Sequence, residues 1–191
     1  MDKIYFGIDP GKDGFITAFN PKEKSFKFYE MPIEKVETGE FLKSGKPKTK
    51  TQFSEKGMRD VILKIANDFP RTEKYFAIEE VTGRQGWSAQ NNFNFGHTAG
   101  LQRMIPIMLG SDYISVRPAK WQSFMRQGYK EIKKPSSTGK TMVMDAKAIA
   151  EMIVQIEHPE IDFRKTDRAK KNHDGKIDSF LICLYLYRTL N

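Results

Sequence analysis

Residues 3–31 read "KIYFGIDPGKDGFITAFNPKEKSFKFYEM", and the way this stretch divides decides the fold. Three runs of β character, "KIYFGID", "GFITAFN" and "SFKFYEM", are separated by "PGKDG" and "PKEK", whose Pro, Gly and Asp favour turns. Connections this short predict an antiparallel meander. The first run ends on Asp9, just before Pro-Gly. A carboxylate at the end of a buried strand needs a partner, because removing its charge from water is costly.

Working outward, Ser54 has the character of an N-cap, and Met58, Val61, Ile62, Ile65, Ala66 and Phe69 recur at helical spacing until "DFP" stops them. "KYFAIEEV" reads as a buried strand and "DYISVRP" as another. Between them lie the polar loop "TGRQGWSAQNN" and a helix from about Phe93 to Leu109, broken or bent near Pro106. With helices intervening, both strands are expected parallel to the first, through right-handed crossovers. Residues 41–54, "FLKSGKPKTKTQFS", carry four lysines and no acid, which predicts a mobile basic loop. The tail holds a short segment at "AKWQSFM", a basic loop from Gln127 to Lys140, a helix over "MVMDAKAIAEMIVQI" and a last helix over "DGKIDSFLICLYLYRTL". The element order is β-β-β-α-β-α-β-α-α, with no repeat and no linker, so one domain is expected over 1–191.

The 191 residues include 39% apolar side chains and 14 Phe, enough for a packed core. A net charge of +8 favours a polyanionic partner. The single cysteine, Cys183, sits in the apolar run "FLICLYLY" and excludes both an internal disulfide and a cysteine zinc cluster; it reads as a small core residue in a reducing cytosol. The chain opens on a strand instead of a basic-then-apolar leader, and no apolar stretch approaches the roughly 20 residues of a membrane span. Neither export nor a membrane anchor is expected.

The acids on regular elements form a pattern. Asp9 ends one strand, Glu79 and Glu80 interrupt another, and Asp174 and Asp178 stand four apart on one face of the last helix, where like charges repel unless neutralised. Singly, each has an ordinary reading: a turn residue at Asp9, an exposed strand end at Glu79 and Glu80, an N-cap at Asp174. Together they fall where one α/β sheet would gather them. Four oxygen donors suit Mg²⁺ or Mn²⁺ better than zinc.

"GIDPG", "AIEE", "FGHTAGL", "ISVRPAKWQ" and above all "HDGKIDSFLICLYL" resemble, in order and spacing, the RuvC family of Holliday junction resolvases, in particular its bacteriophage branch. The resemblance covers most of the chain. It implies an α/β RNase H-like fold, a five-stranded mixed sheet of three antiparallel then two parallel strands flanked by helices. It also implies a homodimer acting on branched DNA, four-way junctions with forks and flaps as further substrates, and residence in a bacterial host's cytoplasm if phage-encoded. Asp9, Glu79, Asp174 and Asp178 match the family's catalytic, metal-holding acids, with two Mg²⁺ per site and Mn²⁺ as a substitute. The choice of Glu79 over Glu80 rests on the resemblance, since both sheet faces are expected to be covered, and Glu80 stays the runner-up and a candidate for catalytic support. Cellular members usually space the last two acids by three; the spacing of four here departs toward the phage branch. His173 adjoins these acids, and Lys140 and Lys147 lie where such enzymes carry a basic residue near the scissile phosphate; all three are candidates for catalytic support.

Phosphate contacts are expected from Lys43, Lys46, Lys48 and Lys50 in the basic loop, from Arg117, Lys120, Lys130, Lys133 and Lys134, and from "RKTDRAKK" at 164–171. Arg84 and Trp87 follow Glu79 in the loop, where an aromatic can stack on bases at an opened branch point. The family's frequent Phe close after the glutamate is replaced by Thr82 and Gly83. The stripe Phe93, Phe95, Leu101, Met104, Ile105 and Met108 of the helix expected over 93–109 is either core or a dimer face. Two other readings fit less well. "GIDPG" also opens actin-like ATPases, which need a second such domain, and "SSTGKT" lacks the first glycine of a P-loop, having Lys134 there. The remaining alternative is a non-catalytic branched-DNA binder.

Overall fold

A computed structural model of the chain describes residues 1–83 and 85–191, all but Arg84. In chain order its elements are β1 (Lys3–Ile8), β2 (Phe15–Asn20), β3 (Ser25–Glu30), β4 (Ile33–Phe41), β5 (Pro47–Phe53), α1 (Glu55–Asp68), β6 (Glu73–Glu79), α2 (Ala89–Met108), β7 (Tyr113–Val116), α3 (Pro118–Met125), β8 (Lys133–Pro135), β9 (Met142–Met144), α4 (Ala146–Glu157) and α5 (Asp174–Leu190). The main sheet runs β3-β2-β1-β6-β7. β1, β2 and β3 are antiparallel neighbours, while β6 pairs parallel to β1 and β7 parallel to β6. This is the mixed sheet expected from the sequence.

Strand alternation sorts the core into two layers. Ile4, Phe6, Ile8, Phe76 and Ile78 point into a layer with Met58 and Ile65 of α1 and Ile105 of α2. Tyr5 and Ala77 point the other way, into a layer with Trp121 of α3, Ile149 and Ile153 of α4, and much of α5. α5 lies directly on β1. A Cβ built on Gly7 would stand 2.2 Å from the Ser179 carbonyl oxygen and 2.3 Å from the Cys183 nitrogen. Cys183 is fully buried, as expected, and its thiol donates to the Tyr5 carbonyl at 3.1 Å. Ser179 and Thr17, both buried, share a hydroxyl hydrogen bond of 2.8 Å that fixes α5 against β2 as well.

Four local expectations need correction. Residues 41–54 are not a loop throughout: Pro47–Phe53 forms β5, paired antiparallel with β4. Its Lys-Thr alternation has the period of a strand, and acids of β4 accept hydrogen bonds from its side chains, Glu40 from the Lys48 ammonium at 2.7 Å and Glu34 from the Gln52 amide at 3.2 Å. The basic segment Gln127–Lys140 likewise contains β8, joined to β9 by a turn with Gly139 at φ +70°. The following helix therefore starts at Ala146 instead of Met142, with Asp145 as N-cap accepting from the Ala148 N–H at 3.3 Å. α2 starts earlier than expected, at Ala89, because Ser88 caps it by accepting from the Asn91 N–H at 3.2 Å. It also continues through Pro106, which lies in the last turn, two residues before the helix ends. Ser54 is an N-cap as read, accepting from Gly57 at 3.2 Å. No helix among the described residues is long and apolar enough to cross a membrane.

Candidate active site

β1 and β6 end together, with Ile8 opposite Ile78 in parallel register. Asp9 and Glu79 thus leave the sheet side by side, and alternation turns both toward α5, the side to which Tyr5, Gly7 and Ala77 also point. Glu80 points the other way and pairs with Arg117 at 3.4 Å. Strand parity therefore puts Glu79, and not Glu80, on the α5 side of the sheet together with Asp9.

α5 brings the second pair of acids. Asp174 is its first residue and is exposed, and Asp178 is half-buried one turn later. Gly175 permits the approach: a Cβ there would lie 2.3 Å from the Asp13 carbonyl oxygen and 2.9 Å from Oδ2 of Asp9. The turn after Asp9 is itself held by the Asp9 N–H donating to the Phe15 carbonyl at 3.1 Å.

The electrostatics follow from this crowding. Burial, then the charges of Asp178, Glu79 and Asp174, hold the Asp9 carboxyl well above the usual range. Asp178 is pushed up to about 7, first by burial and then by Glu79 and Asp174, with Lys147 opposing. The Lys147 ammonium, from the first turn of α4, donates to Oδ2 of Asp174 and is itself raised, chiefly by that bond. Trp121 donates its indole N–H to Oε2 of Glu79 at 2.8 Å, fixing that side chain from α3.

Among the described residues, no three His, Cys, Asp or Glu side chains stand close enough to hold a metal ion as placed. The four acids feel one another's charge without closing on a common point. All-oxygen donors, among which the carboxyls of Asp9 and Asp178 are held above the usual range by burial and neighbouring negative charge, and an ammonium already drawn onto Asp174 nonetheless fit a hard divalent cation in chemistry and charge.

No protein-family model matches the chain, and no curated protein does. Among solved structures, Thermus thermophilus RuvC in complex with Holliday junction substrate aligns at a TM-score of 0.50 and 10% identity, over 98% of this chain and 96% of that one. A second Thermus thermophilus RuvC structure aligns at 0.48 and 15% identity, over 97% and 96%. The fold is that of RuvC.

On this RuvC fold the other expected residues scatter. Lys147 reaches the acids, whereas Lys140 lies exposed in the β8–β9 turn. His173 is the residue before α5. Its ring packs edge-on against Phe15, its Nδ1 is buried without a hydrogen-bond partner, and burial followed by Lys165 lowers its pKa. Lys43 and Lys46 are exposed at the β4–β5 tip, Lys48 is paired with Glu40, and Lys50 is exposed on β5. Trp87 packs edge-on against Phe95; Arg84 lies outside the described residues. Arg117 is engaged by Glu80, Lys133 by Glu131 and Lys134 by Asp145, and Lys130 is exposed. Lys120 lies beside Tyr185 and Leu190, at the far end of α5, roughly 20 Å along the helix from Asp174. The α2 stripe divides: Ile105 is core, while Phe93, Met104 and Met108 are exposed.

Sequence reasoning passed over Trp121 and Lys12. Lys12, together with Lys171 from the expected basic run, lines the cleft that contains Asp9, Asp174 and Asp178. A tryptophan in the otherwise polar "PAKWQ" was the available signal for the first.

Proposed function

We propose that this protein is a divalent-metal-dependent endonuclease that nicks branched DNA, Holliday junctions in particular, symmetrically on two opposed strands to leave 5′-phosphate and 3′-hydroxyl ends. One observation carries the reading: Asp9, Glu79, Asp174 and Asp178 lie together at the strand ends, near enough that their charges raise Asp9 and Asp178. The Thermus thermophilus RuvC of similar fold holds a Holliday junction substrate.

Asp9, Glu79, Asp174 and Asp178 are the residues that would hold the two metal ions. Magnesium there, or manganese in its place, would acidify a water, neutralise phosphoryl oxygens and stabilise the leaving oxygen. The chain's own residues supply the rest. Trp121 orients Glu79. Lys147, released from Asp174, would supply an ammonium to the scissile phosphate. His173 closes the cleft floor against Phe15. The basic side chains on β5, β8 and the 164–171 segment grip phosphates without reading bases. A homodimer matches the two-fold symmetry of a four-way junction, and the exposed Met104, Ile107 and Met108 of α2 are its proposed contact.

The test is cleavage mapping on synthetic four-way junctions, forks, flaps and linear duplexes with Mg²⁺, Mn²⁺ or EDTA, using the parent and Asp9→Asn. Paired nicks on the junction that vanish in EDTA and in Asp9→Asn are expected. Junction binding with no cleavage under any divalent ion would make the protein a non-catalytic binder instead.

A further inference from the structure

The β4–β5 ribbon contributes no side chain to the acid cluster. Its side chains face solvent on both sides except near its base, and Phe41 at its far end is 72% exposed. An isolated two-stranded ribbon is marginal by itself in water. This one is fastened at its root: Lys12, three residues after Asp9, donates from Nζ to the Thr51 carbonyl at 2.7 Å. Lys12 thereby joins three depressions into one groove. The first holds Asp9, Asp174 and Asp178; the second is lined by Trp87, Asn91 and Phe95; the third lies between Lys50 of β5 and Phe93 and His97 of α2.

The chemistry of the outer groove is specific. Phe93 is 68% exposed, and its ring lies parallel to that of His97, at 11° and 6.3 Å, so the pair presents a flat aromatic face. Lys50 sits across the ribbon from Val36, with no carboxylate opposite, unlike Lys48, which is ion-paired with Glu40. Asn91 and Asn94 add amides along the path, and among the described residues Glu55 is the only acid lining the outer depression. Cations for phosphates beside open aromatic faces suit a nucleic-acid strand whose bases are unstacked; paired bases inside a duplex offer no such faces.

We propose that the groove between the β4–β5 ribbon and the first turns of α2 binds an unpaired DNA strand leading away from the acid cluster. The enzyme then favours branch points with several unpaired nucleotides over perfectly paired ones. This rests on the reading of the acid cluster as a branched-DNA nuclease site.

The test measures binding of labelled oligo-dT and of a duplex of equal length in EDTA, alongside Mg²⁺ cleavage of a four-way junction. The variants are Phe93→Ala with His97→Ala, Lys50→Ala, and a shortened ribbon in which residues 35–50 become an Asn-Gly turn. The aromatic double variant should lose about tenfold or more in oligo-dT affinity and less than about twofold on the duplex. Lys50→Ala should flatten the salt dependence of oligo-dT binding by about 0.7 in log–log slope. Because Phe93, His97 and Lys50 are surface residues, these two variants keep the test decisive if the shortened ribbon fails to fold. Unchanged oligo-dT binding in both, or equal losses on duplex and single strand, would overturn the proposal while parental cleavage leaves the nuclease reading intact. A parent that binds oligo-dT through these residues and cuts nothing would overturn the nuclease reading alone. If the shortened ribbon loses self-association and keeps oligo-dT binding, the ribbon is an arm between two copies, which also overturns the proposal.

Discussion

Trp121 and Glu79 are joined by a 2.8 Å hydrogen bond from the indole N–H to Oε2, and Trp121 is only 2% exposed. The tryptophan's body belongs to the α5-side core while its polar edge reaches the acid cluster, so one residue couples packing to the site. Trp121→Phe keeps most of the ring and deletes the donor. The expected result is a rise of about 10- to 100-fold in the Mg²⁺ concentration needed for half-maximal cleavage, as for other groups that orient metal ligands. A Mg²⁺ titration of junction cleavage, with melting temperature as a control, reads this.

Gly175 stands against Asp9 for steric reasons. The missing Cβ would fall 2.9 Å from a carboxylate oxygen and 2.3 Å from a backbone oxygen, and backbone cannot swing aside as a side-chain tip does. Gly175→Ala should lift the start of α5 away from β1 and lower cleavage by about 100-fold, since small misplacements of reacting groups cost about that much. Single-turnover cleavage and far-ultraviolet circular dichroism on the same preparation separate a displaced site from a lost helix.

Much of this arrangement was legible beforehand, for physical reasons that differ by residue. The meander and the parallel crossovers follow from local signals, turn residues and periodicity, and local signals survive folding. The face that Glu79 takes has a local correlate: Gly7 and Ala77, two positions before Asp9 and Glu79, lie on the side of the sheet where α5 packs. The ribbon of residues 33–53 was missed because lysine density hid a two-residue alternation that its acidic partner strand stabilises. The Trp121 bond was invisible because it spans 42 residues, and no pattern in either segment announces the other.

The raised acids give stability an unusual pH dependence. Asp178 titrates near 7 and Asp9 is also held high, so between about pH 4, where carboxyls ordinarily titrate, and 7 the folded state binds more protons than the unfolded chain. Stability from these groups is full below the unfolded value and is lost as pH rises through the folded one. In EDTA the melting temperature should fall between pH 5.5 and 8, and Mg²⁺ should restore it more at pH 8 than at 5.5. Asp178→Asn should raise the pH 8 melting temperature in EDTA, by about 2–4 °C for each kcal/mol of relieved repulsion, and should remove much of the Mg²⁺ response. Thermal melts across pH with and without Mg²⁺ check the sign; a rising curve in EDTA would contradict it.

Lys147 provides the sharpest separation of chemistry from folding. Its ammonium is bonded to Asp174, yet both side chains are mostly exposed, and an exposed pair of this kind contributes about 0–1 kcal/mol. Lys147→Ala should therefore melt within about 2–4 °C of the parent. If the ammonium turns from Asp174 to the scissile phosphate when DNA is bound, the same variant should cut junctions about 100-fold more slowly, as when one preorganised charge donor is removed, with junction affinity changed little. Asp174 also loses its competitor for metal, so the Mg²⁺ requirement should fall or stay level instead of rising. A loss of rate with a lowered Mg²⁺ requirement separates this role from that of Trp121, whose removal should raise it. Equal cleavage rates in Lys147→Ala and the parent would confine Lys147 to its ion pair with Asp174.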